Sequence, residues 1–319
     1  MNERKKLIAV AGPTASGKTA LAVQLALRFG GEVVSNDSMQ IYKGMEIGTA
    51  APTMEERLGV PHHLVGILTP DSDFSCADYS DIGKKTADEI IARGRLPVFC
   101  GGTGLYLDAV TSISSYSEGV RDDALREELA LMAEREGNEA VHNRLRAIDP
   151  EAAEATHPNN VRRVIRAIEI FETTGTTKTE WDKRSKEDLP PYDAKIIVLE
   201  FKNRDLLYRR IDKRVDMMLS AGLEEEARML FEKGLISERS PAFQAIGYKE
   251  LLPYFAGEET LAEAAERIKQ NSRRYAKRQI TWFKRYKDAV MIHPDDGERM
   301  RDFDDIVNDA VEAVKGFVE

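Results

Sequence analysis

Eight consecutive residues constrain this chain more than anything else in it. Gly12, Pro13, Thr14, Ala15, Ser16, Gly17, Lys18 and Thr19 spell G-x-x-x-x-G-K-T, a complete P-loop. The apolar run Leu7–Ala11 before it reads as a buried strand, and the apolar-periodic stretch after it, through about Arg28, reads as a helix. In that setting the backbone N–H groups of the loop and the helix N-terminus point at phosphate oxygens, and Lys18 adds a point charge. The Thr19 hydroxyl is placed to hold Mg²⁺. The motif implies a bound di- or triphosphate, not its hydrolysis. No apolar strand ends in a clear second magnesium carboxylate beyond Asp37, so a kinase and a transferase that expels diphosphate both remain open.

Downstream, Glu32–Asn36 reads as a second strand, His63–Ile67 as a third and Leu96–Cys100 as a fourth, with a helix from Ser75 to Arg93 capped by Ser75. Strands alternating with helices predict a parallel sheet flanked by helices, an α/β core of P-loop NTPase type. From about Ser117 to Glu187 the chain is charged and helical, and Lys195–Phe201 then resumes as a strand. This predicts an all-helical insertion: residues 117–189 as one domain, residues 1–116 and 190–319 as the catalytic core with C-terminal helices. After Asn203 the chain reads as mostly helical. In an open parallel sheet, ligands bind beyond the carboxyl ends of the strands. Asp37 follows the second strand and Thr103 follows the fourth after Gly101-Gly102, so both are expected beside the P-loop. A carboxylate there can act as a base or a metal ligand; equally, Asp and Thr suit helix N-caps, the favoured reading for Thr103.

Charge is informative because it is uneven. The net charge is −9, yet Arg267 to Lys287 holds nine basic residues and no acidic one. On a helix, Arg273, Arg274, Lys277, Arg278, Lys284 and Arg285 share an arc of about 140°. Ile268, Tyr275, Ala276, Trp282, Phe283 and Tyr286 lie opposite. One face is expected to pack on the protein and the other to meet RNA phosphates. Arg162, Arg163 and Arg166 form a second patch within the expected insertion. Cys76 and Cys100 have no metal-ligand spacing, which excludes a zinc finger or a disulfide scaffold. No apolar run is long enough to span a membrane or to serve as a secretory leader, so the expected location is cytoplasmic. A monomer is the default expectation.

Taken in order, Gly12–Thr19, Ser35-Asn-Asp-Ser-Met-Gln-Ile-Tyr-Lys-Gly-Met, Gly101-Gly-Thr-Gly-Leu-Tyr, His157-Pro-Asn-Asn with Arg162-Arg163-x-x-Arg166, Gln244-Ala-Ile-Gly-Tyr-Lys-Glu and Lys277-Arg-Gln-Ile-Thr-Trp-Phe-Lys-Arg resemble the tRNA dimethylallyltransferases. The likeness spans about Lys6 to Lys287. One departure is Ala51, where many members carry Lys. The zinc-finger extension of eukaryotic members is not among the motifs, so a bacterial form is expected. The resemblance implies transfer of the dimethylallyl group from dimethylallyl diphosphate to N6 of the adenosine 3′ of the anticodon, with Mg²⁺ as cofactor. It implies Asp37 as general base, with Thr103, Lys18 and Arg214 on the diphosphate side and residues 12–19 as the diphosphate cradle. Read without the family, Arg214 would pass for an exposed arginine paired with Asp212 or Asp216. For the tRNA anticodon stem-loop the resemblance implies contacts from Asp37, Ser38, Met39, Gln40, Gln244, Gly247, Lys249 and Gln279. The two basic patches, Arg162, Arg163, Arg166 and Arg273, Arg274, Lys277, Arg278, complete that set. The competing readings are a small-molecule kinase, an adenylate prenyltransferase and a non-catalytic RNA-binding protein; the last two leave the basic helix or the P-loop idle.

Overall fold

A computed structural model describes residues 4–111, 121–184 and 190–318. The boundaries expected at 116/117 and 189/190 border or lie outside the described residues. Six parallel strands, β1 (Lys5–Ala11), β2 (Gly31–Ser35), β3 (His62–His63), β4 (Leu96–Gly101), β5 (Tyr192–Leu199) and β6 (Val290–Ile292), form one sheet in the order β3-β2-β4-β1-β5-β6. The first helices are α1 (Lys18–Phe29), α2 (Cys76–Ala92) and α3 (Gly104–Thr111). Then come α4 (Asp123–Glu136), α5 (Asn138–Ile148), α6 (Pro150–Ala155), α7 (Val161–Thr174) and α8 (Lys178–Arg184). After β5 follow α9 (Arg204–Ser220), α10 (Leu223–Glu232), α11 (Leu252–Phe255), α12 (Leu261–Phe283) and α13 (Phe303–Val318). Among the described residues no helix is long and apolar enough to cross a membrane.

The strands alternate their side chains between two apolar layers. Ile8, Val10, Val98 and Ile197 pack under α1 and α13, while Leu7, Ala9, Phe99 and Val198 pack under α2, α3 and the end of α12. Ser75 caps α2, as the sequence predicts, and the structure adds a reciprocal capping box with Asp78. Helices α4 to α7 bury a core of their own around Leu129, Val141, Leu145, Val164 and Ile168.

Three expectations need correction. The third strand is two residues rather than five, because Leu64 and Gly66 take positive φ and turn the chain out of the extended region. A sixth strand, β6, lies in the part read as helical; it is three residues long and is defined by its pairing with β5. The basic helix ends at Phe283, so Lys284 and Arg285 follow it in a turn and do not extend its face.

Register decides what comes next. Ala11 lies opposite Gly101, and Ser35 lies opposite Cys100. The loops that follow β1, β2 and β4 therefore leave the sheet at one level and meet there.

Candidate active site

The P-loop is built by backbone conformations that few sequences allow. Gly12 and Gly17 have φ of +153° and +93°, and a Cβ on Gly12 would press on the Leu199 carbonyl at 3.1 Å. The Lys18 ammonium donates to the Pro13 carbonyl at 3.4 Å. Burial pushes its pKa down; nearby Cys100 and Asp37 pull it up, while Arg214 adds to the lowering. Cys100 closes the floor beside Thr19. Burial raises its thiol to about 11, so it is protonated at neutral pH, and it shares a hydrogen bond with Thr19.

Asp37 is not a helix cap. It sits in a turn after β2, where one carboxylate oxygen accepts from the Met39 N–H at 3.0 Å. Thr103 does stand at the start of α3, its carbonyl accepting from Leu107 N–H at 3.2 Å, but its hydroxyl accepts from the Ser38 N–H at 3.1 Å. The two loops are thereby tied together beside the P-loop. Gly101 and Gly102 permit this closeness: a Cβ on the first would collide with Asn36, and one on the second with Gln279.

Arg214, on α9, departs from its bare sequence reading. Asp212 pairs with Arg273 and Asp216 with Lys269, so neither acid holds it. Its guanidinium donates to the Ala50 carbonyl at 3.4 Å. Burial lowers its pKa, while Asp37 and Glu56 oppose that shift. Asp37 and Arg214 line one cavity of about 490 Å³ together with Thr14 and Ser38. Ile211, Val215, Met218, Ile246 and Ile268 give the cavity an apolar wall, and Arg274 and Arg278 line it as well. A phosphate cradle next to an apolar chamber and a carboxylate is the arrangement that transfer of an apolar group from a diphosphate requires.

No group of three or more His, Cys, Asp or Glu side chains able to hold a metal occurs among the described residues. The Thr19 hydroxyl ends the P-loop, the Ser16 hydroxyl lies buried within it, and the Asp37 carboxylate is near enough to Lys18 to act on its charge. This is a hard donor set that fits Mg²⁺ held partly by substrate phosphate.

Similarity to known proteins agrees with this geometry. A family model described as IPP transferase matches residues 40–286, and one described as isopentenyl transferase matches residues 5–63. The tRNA dimethylallyltransferase of Bacillus subtilis (strain 168) is 50% identical over 283 residues, 89% of each chain. That of Shouchella clausii is 47% identical over 314 residues, 98% of this chain and 99% of the relative. The chain belongs to the tRNA dimethylallyltransferase family. Among solved structures, the full-length tRNA isopentenylpyrophosphate transferase of Bacillus halodurans superposes with a TM-score of 0.73 at 44% identity, covering 99% of this chain and 97% of the other. A eukaryotic dimethylallyltransferase acting on tRNA superposes with a TM-score of 0.83 at 30% identity, covering 98% of this chain and 79% of that one.

The residues that this tRNA dimethylallyltransferase family member was expected to turn toward RNA fall into two groups. Ser38, Met39, Gln244, Lys249, Arg274 and Arg278 line the cavity, Lys277 is exposed beside them, and Arg162 and Arg163 are exposed on α7. Gln40 sits behind that wall. It accepts from the Ser35 hydroxyl at 2.9 Å and donates to the Thr49 and Ala50 carbonyls at 3.3 Å each. Four others are occupied inside the protein. Gln279 is 4% exposed; it accepts from Thr14 N–H at 2.9 Å and donates to Gly102 O at 3.0 Å, bracing the P-loop against the β4 loop. Gly247 is buried in a turn at φ +110° and donates to Glu250. Arg273 is bound to Asp212, and Arg166 joins Arg126 around the fully buried Glu169. Lys269, Arg267 and Arg285 also have acidic partners: Asp216 and Glu266, Glu259, and Asp108. The basic run is thus narrower than its composition implies, because acids both near it and distant in sequence neutralise part of it.

Sequence reasoning missed Tyr275. Assigned to the packing side of α12, it lines the cavity, with hydrogen bonds to Thr103 and Gln279; burial raises its hydroxyl to about 12. The signal was its place three residues before Arg278, at the border between the two faces.

Proposed function

We infer that this protein transfers the dimethylallyl group from dimethylallyl diphosphate to N6 of the adenosine 3′ of the anticodon in tRNA, releasing diphosphate. The observation that supports this most is the single cavity where Asp37, Thr14 of the P-loop, Arg214 and an apolar wall meet under Arg274 and Arg278.

An exocyclic amine is a weak nucleophile, since its lone pair is shared with the ring. Asp37 accepts the N6 proton as the new C–N bond forms. The allylic C–O bond breaks, and negative charge grows on the departing diphosphate. Residues 12–19, Lys18 and Arg214 are aimed at that charge, and Thr103 fixes the loop that faces it. The Thr19 hydroxyl would hold Mg²⁺, which would supply further neutralisation of the diphosphate. The apolar wall receives the five-carbon group and keeps water from capturing it. The adenosine must leave its stack to reach Asp37, so the base flips. Arg274, Lys277 and Arg278 position one side of the anticodon stem-loop. The helical lobe built from α4 to α7 grips another through Arg162 and Arg163. The working unit is a monomer in the cytoplasm.

The test offers labelled dimethylallyl diphosphate with tRNA, with AMP, or with no acceptor, in the presence and absence of ATP. Label should enter tRNA alone and without ATP. Label on AMP, or ATP consumed in proportion to product, would overturn the reading.

A further inference from the structure

We propose that Glu226 and Tyr248 are positioning residues for this transfer: the pair locks the 45–50 turn that anchors Arg214 and Gln40. Neither side chain lines the cavity, and the inference rests on the reaction proposed above.

Glu226, on α10, is a buried carboxylate. Burial works against its charged form and raises its pKa, while three donors oppose that rise. One oxygen accepts from the Ile47 N–H at 2.9 Å; the other accepts from the Gly48 N–H at 2.9 Å and from the Tyr248 hydroxyl at 2.8 Å. The same hydroxyl lies 3.1 Å from the Met45 carbonyl. Tyr248 is fully buried, and its ring packs so closely on Gly48 that a Cβ there would overlap it. Two backbone amides and a phenol from separate parts of the chain thus converge on one carboxylate, a costly burial that makes sense only if the turn must be held.

What the turn holds is part of the site. Gly48 and Thr49 line the cavity. Ala50 takes φ +45°, a region unfavourable for alanine, and that conformation presents its carbonyl to both Arg214 and Gln40. Gln40 in turn fixes Ser35, whose oxygen accepts from the Asp37 N–H at 3.4 Å. One contiguous set of contacts runs from Glu226 through the turn to the arginine on the diphosphate side and to the carboxylate on the amine side. Removing the brace should relax that geometry while leaving the basic helix untouched. Small misplacements of reacting groups are costly in rate.

The test uses Tyr248→Phe, which keeps the ring, and Glu226→Gln, which keeps the shape. Single-turnover transfer at saturating tRNA should fall on the order of 10- to 100-fold in each. KM for tRNA should stay within about twofold, since phosphate contacts are separate. A double-mutant cycle distinguishes positioning from a general loss of structure. In an Arg214→Ala, Gln40→Ala background, adding Tyr248→Phe should cost less than about twofold more, because the groups it acts through are gone. Rates are taken per folded molecule, from thermal unfolding and active-site titration, and Tyr248→Phe alone decides the matter if Glu226→Gln does not fold. Wild-type rates in Tyr248→Phe, or an undiminished effect in the Arg214→Ala, Gln40→Ala background, would overturn the assignment. A wild-type protein that transfers nothing refutes the proposed function and this assignment with it; a transferring wild type matched by its variants refutes only this one.

Discussion

Asp37 has one carboxylate oxygen fixed by the Met39 N–H and lies in the wall of the cavity, so its orientation is set before substrate arrives. Replacing it with Asn keeps the shape and removes the base. Single-turnover transfer should then fall about 10²–10⁴-fold with tRNA affinity unchanged. A near-normal rate would make the residue a mere turn former. Gln279 poses the opposite case, a polar residue whose work is internal. Gln279→Leu leaves the Thr14 N–H and the Gly102 carbonyl without their partner. The loss should be about 1–3 kcal/mol in urea unfolding, with a weaker grip on the diphosphate. Unchanged stability together with weakened tRNA binding would return Gln279 to the RNA interface.

At the scale of the element, α12 serves three cores at once: Ile268 packs near α9 and α10, Ala276 against α9, and Phe283 under the sheet. Its outward face is selective, since Arg273 and Lys269 are committed to acids on α9 while Arg274, Lys277 and Arg278 are exposed. Changing these three exposed residues to Ala should raise KM for tRNA and leave the chemical step intact. Each lost contact should flatten log affinity against log salt by about 0.7–0.9. Arg273→Ala should leave that slope nearly unchanged and lower stability instead. Equal slopes for wild type and the triple variant would make the stripe a solvated face.

For the whole molecule, several weak acids, buried or half-buried, are held neutral. Cys100 is raised from 9.0 to about 11, and Cys76, Tyr42 and Tyr275 are each raised to about 12, burial being the main cause throughout. Below pH 9 the Cys100 thiol is protonated in both folded and unfolded chains, and its contribution does not change. Above it the unfolded chain loses the proton first, so stability declines as pH rises toward the folded value. Cys100 alone should account for a loss of roughly 2–3 kcal/mol over that interval. Urea midpoints measured from about pH 8 to about pH 11 should fall, and less steeply in Cys100→Ser. Parallel curves for the two proteins would show that the thiol does not contribute.

The sequence by itself determined what is local. The P-loop was legible because its conformation is written in eight consecutive residues, and the parallel sheet because each buried strand is a short apolar run beside a helix. Asp37 and Thr103 could be placed in one crevice because open parallel sheets bind ligands at a single edge. Tertiary structure alone decided which charges were free. Arg214 is released to the cavity because Arg273 and Lys269, about 60 residues away on α12, take the acids beside it. Gln279 and Tyr248 turn inward for a related reason: a buried amide or phenol goes wherever unpaired backbone groups are, and packing places those groups far away in sequence. β6 exists only as a partner for β5, since three residues have no period to read.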